Sequence, residues 1–230
     1  EPATQFGAVW TPGGDRIVYG QDDPPYNIYR RPADGTSQAE LLLGTQVDNE
    51  ALSISPDGEF LIYSHSDKGA SYDLRIMPLE ESGEARSWIE TPFNEYFASF
   101  SPDGNWIAFM SDETGTDQVY VQRFPDGGRK LQVSLDGGTR PLWSREGNEI
   151  FFRNGPRMMA VEVTSGDRLT AGQPRELFSG SYMASSNKWD YAVAPDGRFI
   201  MIKTPDEDKP REISVVLNWF RELEELVPAD

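Results

Sequence analysis

The chain has no cysteine, so it can hold no disulfide framework, no thiolate metal site and no cysteine nucleophile. Its single histidine, His65, lies in the run Tyr63-Ser64-His65-Ser66-Asp67-Lys68-Gly69. One imidazole cannot build the cluster that a metal hydrolase or lyase collects, and His65 reads as a loop or strand-end residue rather than a general base. There is no G-x-S-x-G nucleophile elbow, and also no Gly-rich phosphate loop, strand lysine, HRD-type loop or DFG-type aspartate. Neither ester hydrolysis nor phosphoryl transfer is expected of this chain. No apolar run approaches the ~20 residues that cross a bilayer, and no signal-peptide pattern is read. The expectation is a soluble chain, or the soluble part of something longer. Positive charge is scarce: 21 Lys and Arg stand against 38 Asp and Glu, a net charge of −17. Such a surface repels phosphate backbones and anionic lipid heads, so nucleic acid and membranes are not expected partners. Basic proteins, peptides and cations remain open.

What the chain does have is one pattern five times over. An apolar or small residue leads into a tight turn ending in Gly, and a short apolar strand follows. The copies are VWTPGGDRIVYG (Val9 to Gly20), SISPDGEFLIYS (Ser53 to Ser64), SFSPDGNWIAFM (Ser99 to Met110), LWSREGNEIFFR (Leu142 to Arg153) and AVAPDGRFIMIK (Ala192 to Lys203). The turn glycines are Gly14, Gly58, Gly104, Gly147 and Gly197, spaced by 44, 46, 43 and 50 residues. A period of this length filled with strands is that of a four-stranded propeller blade. With 21 Gly, 17 Pro and 12% aromatic residues, the composition suits a chain of frequent turns and large inter-sheet contacts. The expected fold is all-β, a β-propeller with about five recognisable four-stranded blades at 6–50, 51–94, 95–138, 139–180 and 181–217. One domain over 1–230 follows, because each unit exposes apolar faces that only a neighbour can cover.

The third repeat shows the blade most clearly. Tyr96 to Phe100 is expected innermost, Trp106 to Met110 second, Gln118 to Arg123 third and Leu131 to Ser134 outermost. Ser101-Pro102-Asp103-Gly104 forms the first turn, in which Pro presets φ, Gly accepts a positive φ and Asp bonds its own backbone. Asp57 and Asp196 take the same turn role. The template places third strands at Asn27 to Arg30, Leu74 to Met77, Met158 to Val163 and Ile213 to Leu217. Fourth strands fall at Leu41 to Leu43, Ser87 to Ile89 and Glu176 to Phe178. Trp10, Ile54, Phe100, Trp143 and Val193 hold one equivalent position, read as inter-blade core. In the fifth repeat a short amphipathic helix over 218–226, with Asn218 as N-cap, replaces the outer strand.

The SPDG-type turns, the NIYRRPADG and SDETGTDQVYVQRFP strands, the TPFNE segment and the LNWFRELEELVP ending resemble the TolB-type, WD-like propeller at the C-terminus of certain bacterial serine/threonine protein kinases. The resemblance covers essentially the whole chain. It implies a sensory or protein-interaction module that follows a kinase domain. Propellers of that family usually close with six blades, so five repeats suggest a fragment of a larger propeller. An open arc of blades would self-associate, whereas a closed ring would not. The compartment implied is extracytoplasmic if a membrane-spanning kinase precedes the propeller, and cytoplasmic otherwise.

The functional expectation is a non-catalytic, protein- or peptide-binding propeller with no cofactor. The alternative is the substrate-gating propeller of a prolyl-oligopeptidase-like peptidase. Arg30, Arg75, Arg123 and Arg140 lie near strand ends, with Arg31 beside the first. Such residues can line a binding face and grip carboxylates bidentately, or form inter-blade ion pairs with the abundant acids. Asp112, Glu113 and Asp117 crowd one loop, and Asp22, Asp23 and Asp67 fall in the equivalent loops of earlier repeats. These are weak calcium candidates, because EF-hand spacing is missing and a solvated polar loop explains them.

Overall fold

The computed structural model describes residues 4–22, 27–66, 71–79, 84–166, 168–184 and 189–204. These residues form β-sheet joined by turns and loops, with no helix among them. The first sheet is β1 (Thr4–Trp10), β2 (Arg16–Asp22), β3 (Asn27–Pro32) and β4 (Glu40–Leu43). The second is β5 (Asp48–Ile54), β6 (Phe60–Ser66), β7 (Asp73–Pro78) and β8 (Arg86–Ile89). The third is β9 (Glu95–Phe100), β10 (Trp106–Ser111), β11 (Gln118–Arg123) and β12 (Gly127–Gln132). All three are antiparallel meanders in sequence order. In the fourth, β13 (Thr139–Trp143), β14 (Glu149–Asn154) and β15 (Arg157–Thr164) are followed by two short strands sharing one edge of β15. These are β16 (Thr170–Ala171), on the far end of β15, and β17 (Arg175–Ser179), on its near end. The fifth sheet pairs β18 (Tyr191–Val193) with β19 (Phe199–Met201). The expected strand at 213–217 and the helix at 218–226 lie outside the described residues.

The turn chemistry explains why the repeat is spelled as it is. Ser55 and Ser101 each donate a hydroxyl proton to the aspartate two residues on, Asp57 or Asp103. Each hydroxyl also accepts the backbone N–H that starts the next strand, Phe60 or Trp106, at 2.9 Å. One hydroxyl thus closes the turn from both sides. In the first repeat Thr11 reaches Asp15 instead, and in the fourth Ser144 reaches Asn148. The turn glycine has a second task. At φ +71° Gly104 adopts a conformation that Cβ-bearing residues avoid, and a Cβ there would lie 3.5 Å from Pro56 Cδ of the preceding blade. Pro102 and Gly147 repeat the contact, so successive turns nest against one another.

Side chains alternate between the two faces of each strand, so every inner sheet feeds two core layers. On β10, Ile107 and Phe109 pack toward the second sheet with Ile62, Leu74 and Ile76. Trp106 and Ala108 pack toward the fourth with Trp143, Ile150 and Phe152. Val18, Ile28, Leu61 and Tyr63 fill the layer between the first and second sheets, and Met158, Ala160, Tyr191 and Phe199 that between the fourth and fifth. Phe100 and Trp143 are buried as expected of inter-blade positions, whereas Ile54 and Val193 are partly buried. Trp10 is a correction. It is 59% exposed, because the outward face of the first sheet has no neighbouring blade among the described residues. The outermost strand of the third sheet starts earlier than the apolar pattern suggested, at Gly127 rather than Leu131.

Candidate functional site

Each of the first four innermost strands carries one β-bulge ahead of its turn, where an extra residue faces a single residue on the neighbouring strand. Gly7, Phe97 and Arg140 occupy equivalent places there, each two residues before the first residue of its motif, with φ of +58°, +51° and +56°. By the same count Ala51 and Asp190 are their equivalents in the second and fifth repeats. The bulge turns these residues away from the ordinary pleat, and side chains of adjacent blades meet across it.

Three of them meet in one network. The Arg140 guanidinium lies 4.5 Å from the centre of the Phe97 ring. Its Nε is 3.4 Å from Asp190 Oδ2, and Arg153 Nη1 of β14 is 3.5 Å from Asp190 Oδ1. All three charged side chains are buried. Arg153 also donates through Nε and Nη2 to the Gly155 carbonyl, at 3.2 and 2.9 Å. Arg140 Nη1 donates to Thr139 Oγ1 at 3.0 Å. Burial pulls Arg140 below the ordinary guanidinium value, and the charge of Asp190 opposes it. The neighbouring Tyr191 hydroxyl donates to the Arg140 carbonyl at 2.6 Å, and burial followed by the charge of Asp190 raises its pKa. Blades four and five are joined here by ion pairs in addition to their apolar layer, and blade three by the contact of Phe97 with the Arg140 guanidinium.

One residue earlier in each repeat stands a second set: Phe6, Glu50, Tyr96, Thr139 and Trp189. The Tyr96 hydroxyl donates to Glu50 Oε2, across the boundary between the second and third blades. Burial, then the charge of Glu50, holds that phenol far above its ordinary pKa. Tyr96 contacts Tyr72 and Phe97 edge-on at centroid distances of 5.1 and 4.6 Å, and Phe97 contacts Trp189 at 5.3 Å. A cavity of about 460 Å³ opens beside this chain of rings. Its wall takes residues from β1, β5, β9 and β13 and from 189–192 of the fifth repeat, so it is the space the innermost strands surround.

The four arginines marked in the sequence occupy separate environments. Arg30 is buried, donates to Glu40 Oε2 from Nε and Nη2 at 3.2 and 3.0 Å, and reaches the Leu79 carbonyl of the second blade at 3.3 Å. Arg75 Nη1 lies 3.4 Å from His65 Nε2, and His65 Nδ1 lies 2.9 Å from Asn49 Oδ1. Arg123 is exposed, its guanidinium 5.8 Å from the centre of the Trp106 ring. Arg140 alone belongs to the network around Asp190. Of the loop acids, Asp112 accepts two hydrogen bonds from Asn94, at 2.9 and 2.7 Å. Glu113 is ion-paired with Lys130, and desolvation followed by the charge of Asp112 raises Asp117. Among the described residues no three His, Cys, Asp or Glu side chains are grouped to hold a metal ion. Asp23 and Asp67 lie outside the described residues.

Glu95 is a further acid that the motif did not mark. Fully buried at the start of β9, its Oε1 accepts from Thr91 at 2.8 Å and Ser111 at 3.1 Å. Burial raises its pKa, with those two hydrogen bonds opposing. A carboxyl raised on folding contributes stability that is full below its unfolded pKa and is lost as pH rises through the folded value. Glu95→Gln is therefore expected to raise the melting temperature by about 2–4 °C near pH 8, for a gain of about 1 kcal/mol. The gain should shrink toward zero near about pH 3, below the ordinary glutamate value, where Glu95 is protonated in the folded and the unfolded chain. Calorimetry across that range checks it, and a difference independent of pH contradicts it.

The solved structure of a putative TolB from Agrobacterium tumefaciens matches with a TM-score of 0.63 and 21% identity, over 76% of this chain and 65% of that one. TolB from Acinetobacter baumannii matches with a TM-score of 0.61 and 20% identity, over 86% of this chain and 53% of that one. The fold is that of a TolB-type β-propeller. In sequence, the uncharacterised peptidase YuxL of Bacillus subtilis is 26% identical over 203 residues, 70% of this chain and 31% of its own. No protein-family profile matches. The propeller spans about half the length, or less, of the curated relatives it matches. Sequence reading missed Glu50, Tyr96, Trp189, Asp190 and Arg153 as a group. For the first four the available signal was their offset, two or three residues before the first residue of a motif; Arg153, the last residue of the fourth motif, has no such offset.

Proposed function

We propose that this propeller is a non-catalytic protein- or peptide-binding module of a larger bacterial signalling protein such as a serine/threonine kinase. The observation that supports it is the central cavity, walled by all five innermost strands and beside no nucleophile–base pair among the described residues. Cavities of this size accept a side chain or a short extended segment rather than a folded domain. The kinase context rests on the YRRPADG, TPFNE and NWFREL segments. A second reading, the propeller of a peptidase, draws on the similarity to YuxL. Screening the chain against an immobilised array of random hexapeptides tests the first. A related set of peptides, bound saturably and displaced by filling the cavity with Ala192→Trp, is the expected result. An array with no selection, or cleaved peptides, overturns it. Fusion to a hydrolase rather than a kinase domain in the full-length protein favours the second.

A further inference from the structure

We propose that the loop end of the third blade is a docking surface for a protein segment carrying a basic residue between two apolar ones. The surface runs from Phe93 across Asp112 and Asp117 to Leu135, and none of these residues lines the central cavity. It is a second site and does not depend on what the cavity holds.

The exposed large apolar side chains among the described residues fall into two groups. Trp10 and Leu41 stand on the first sheet, and Ile200 and Ile202 on or beside the fifth. Phe93, Leu135 and Met183 all lie on segments that carry the chain from one blade to the next. A place on the outermost sheets accounts for the first group but not for the second.

Phe93 is 40% and Leu135 60% exposed, and each is held out by a loop fixed by hydrogen bonds. Thr91 Oγ1 accepts the Phe93 N–H at 3.1 Å while donating to Glu95. Asn94 donates to Asp112 from its backbone and its side chain, and its own Oδ1 accepts the Tyr72 N–H at 3.2 Å. On the other side Gln118 donates to the Leu135 carbonyl at 3.4 Å and accepts the Gly137 N–H at 3.2 Å. Loops already ordered lose little further freedom on binding, so more of the apolar burial reaches affinity.

The same bonds place the acids between the two apolar side chains. Segment 112–117 joins β10 to β11 and bonds to both flanking loops. Asp112 holds Asn94, and the Asp117 carbonyl accepts the Gly138 N–H at 2.8 Å. Desolvation, then the charge of Asp112, raises the pKa of Asp117, with the charge of Arg140 opposing. The two carboxylates repel each other, and a cation seated beside them relieves that repulsion. Lys130, close by, is engaged by Glu113. The net charge of −17 draws a basic partner toward the surface. An apolar–acid–apolar order of side chains is met by apolar–basic–apolar. Residues i, i+2 and i+4 of an extended segment share one face, so the complement is Leu-x-Lys-x-Leu.

The test maps amide chemical shifts of the chain on titration with acetyl-Ala-Leu-Ala-Lys-Ala-Leu-Ala-amide. One counterpart peptide has glutamate for the lysine, and another has serine for both leucines. The lysine peptide is expected to shift the amides of 91–94, 112–117 and 133–138 saturably. Phe93→Ser and Leu135→Ser should each weaken it about fivefold, and Asp117→Asn about threefold. Raising NaCl from about 50 to about 500 mM should weaken wild type more than Asp117→Asn. Both counterpart peptides should bind about tenfold more weakly than the lysine peptide. All three replaced side chains are exposed, so the variants should keep the wild-type spectrum outside these loops. Ala192→Trp, which fills the cavity, should leave the affinity unchanged. Equal binding of the glutamate peptide, or no saturable shift at the three loops, overturns the inference. Shifts confined to the cavity wall would sink it alone and leave the binding-module reading standing.

Discussion

Asp190→Ala is expected to destabilise the chain by about 3–5 kcal/mol, because it removes the carboxylate that two buried guanidiniums share. Arg140 and Arg153 approach the same carboxylate from two strands of the fourth sheet, and both are almost fully buried. The lost acid stands at the boundary between the fourth and fifth blades. The damage should therefore concentrate at one place. Hydrogen exchange is expected to accelerate in β18 and β19 well before the cores of β10 and β14, since local opening follows the weakened boundary. Urea unfolding followed by tryptophan fluorescence gives the size of the loss. Asp190→Leu combined with Arg140→Met and Arg153→Met should recover much of it, because a well-packed apolar substitute for a buried ion network is often close to neutral. A loss under about 1 kcal/mol for Asp190→Ala would mean that apolar packing alone holds the fifth blade.

The second large effect separates two tryptophans that the repeat makes equivalent. Trp143→Ala is expected to cost about 3–5 kcal/mol, the range for emptying a large aromatic from a core. Trp143 packs with Trp106, Ile150 and Val161, and its indole N–H donates to the Ser99 carbonyl at 3.2 Å. Its removal leaves both a cavity and an unpaired carbonyl at the boundary of the third and fourth blades. Trp10→Ala should cost less than about 1 kcal/mol, in keeping with a largely exposed side chain. Denaturant midpoints for the two variants, measured side by side, check the difference. A loss at Trp10 as large as that at Trp143 would show that the outward face of the first sheet is covered in solution.

Much of the fold was readable because it is written in local chemistry that recurs. Ser, Pro, Asp and Gly at fixed offsets make a turn by themselves: the hydroxyl, the preset φ and the tolerated positive φ all act within six residues. The alternating strands that follow then require a second apolar face, and the period of 43 to 50 residues supplies it. The departures came where the partners stand on different strands. The outer edge of β15 is divided between β16 and β17, because the segment joining the fourth and fifth repeats is the longest of the four and meets β15 twice. The four arginines were visible as strand-end charges, yet their partners were not. Glu40 and Leu79 for Arg30, His65 for Arg75, Trp106 for Arg123 and Asp190 for Arg140 share no sequence rule.

By itself the sequence determined five motif-bearing units of β-strand, their turn chemistry and their alternating faces, since each of these depends on neighbours within one strand or turn. The tertiary structure alone decided which members of each equivalent set would meet. It brought Arg140 to Asp190 and Tyr96 to Glu50, left Trp10 exposed while burying Trp143, and opened one cavity among the five innermost strands. The physical reason is that a repeat specifies positions, whereas an ion pair or a cavity depends on the particular side chains that stand at those positions in adjacent blades. Those side chains are separated by more than 40 residues of chain. Only the side-by-side packing of the sheets makes them neighbours.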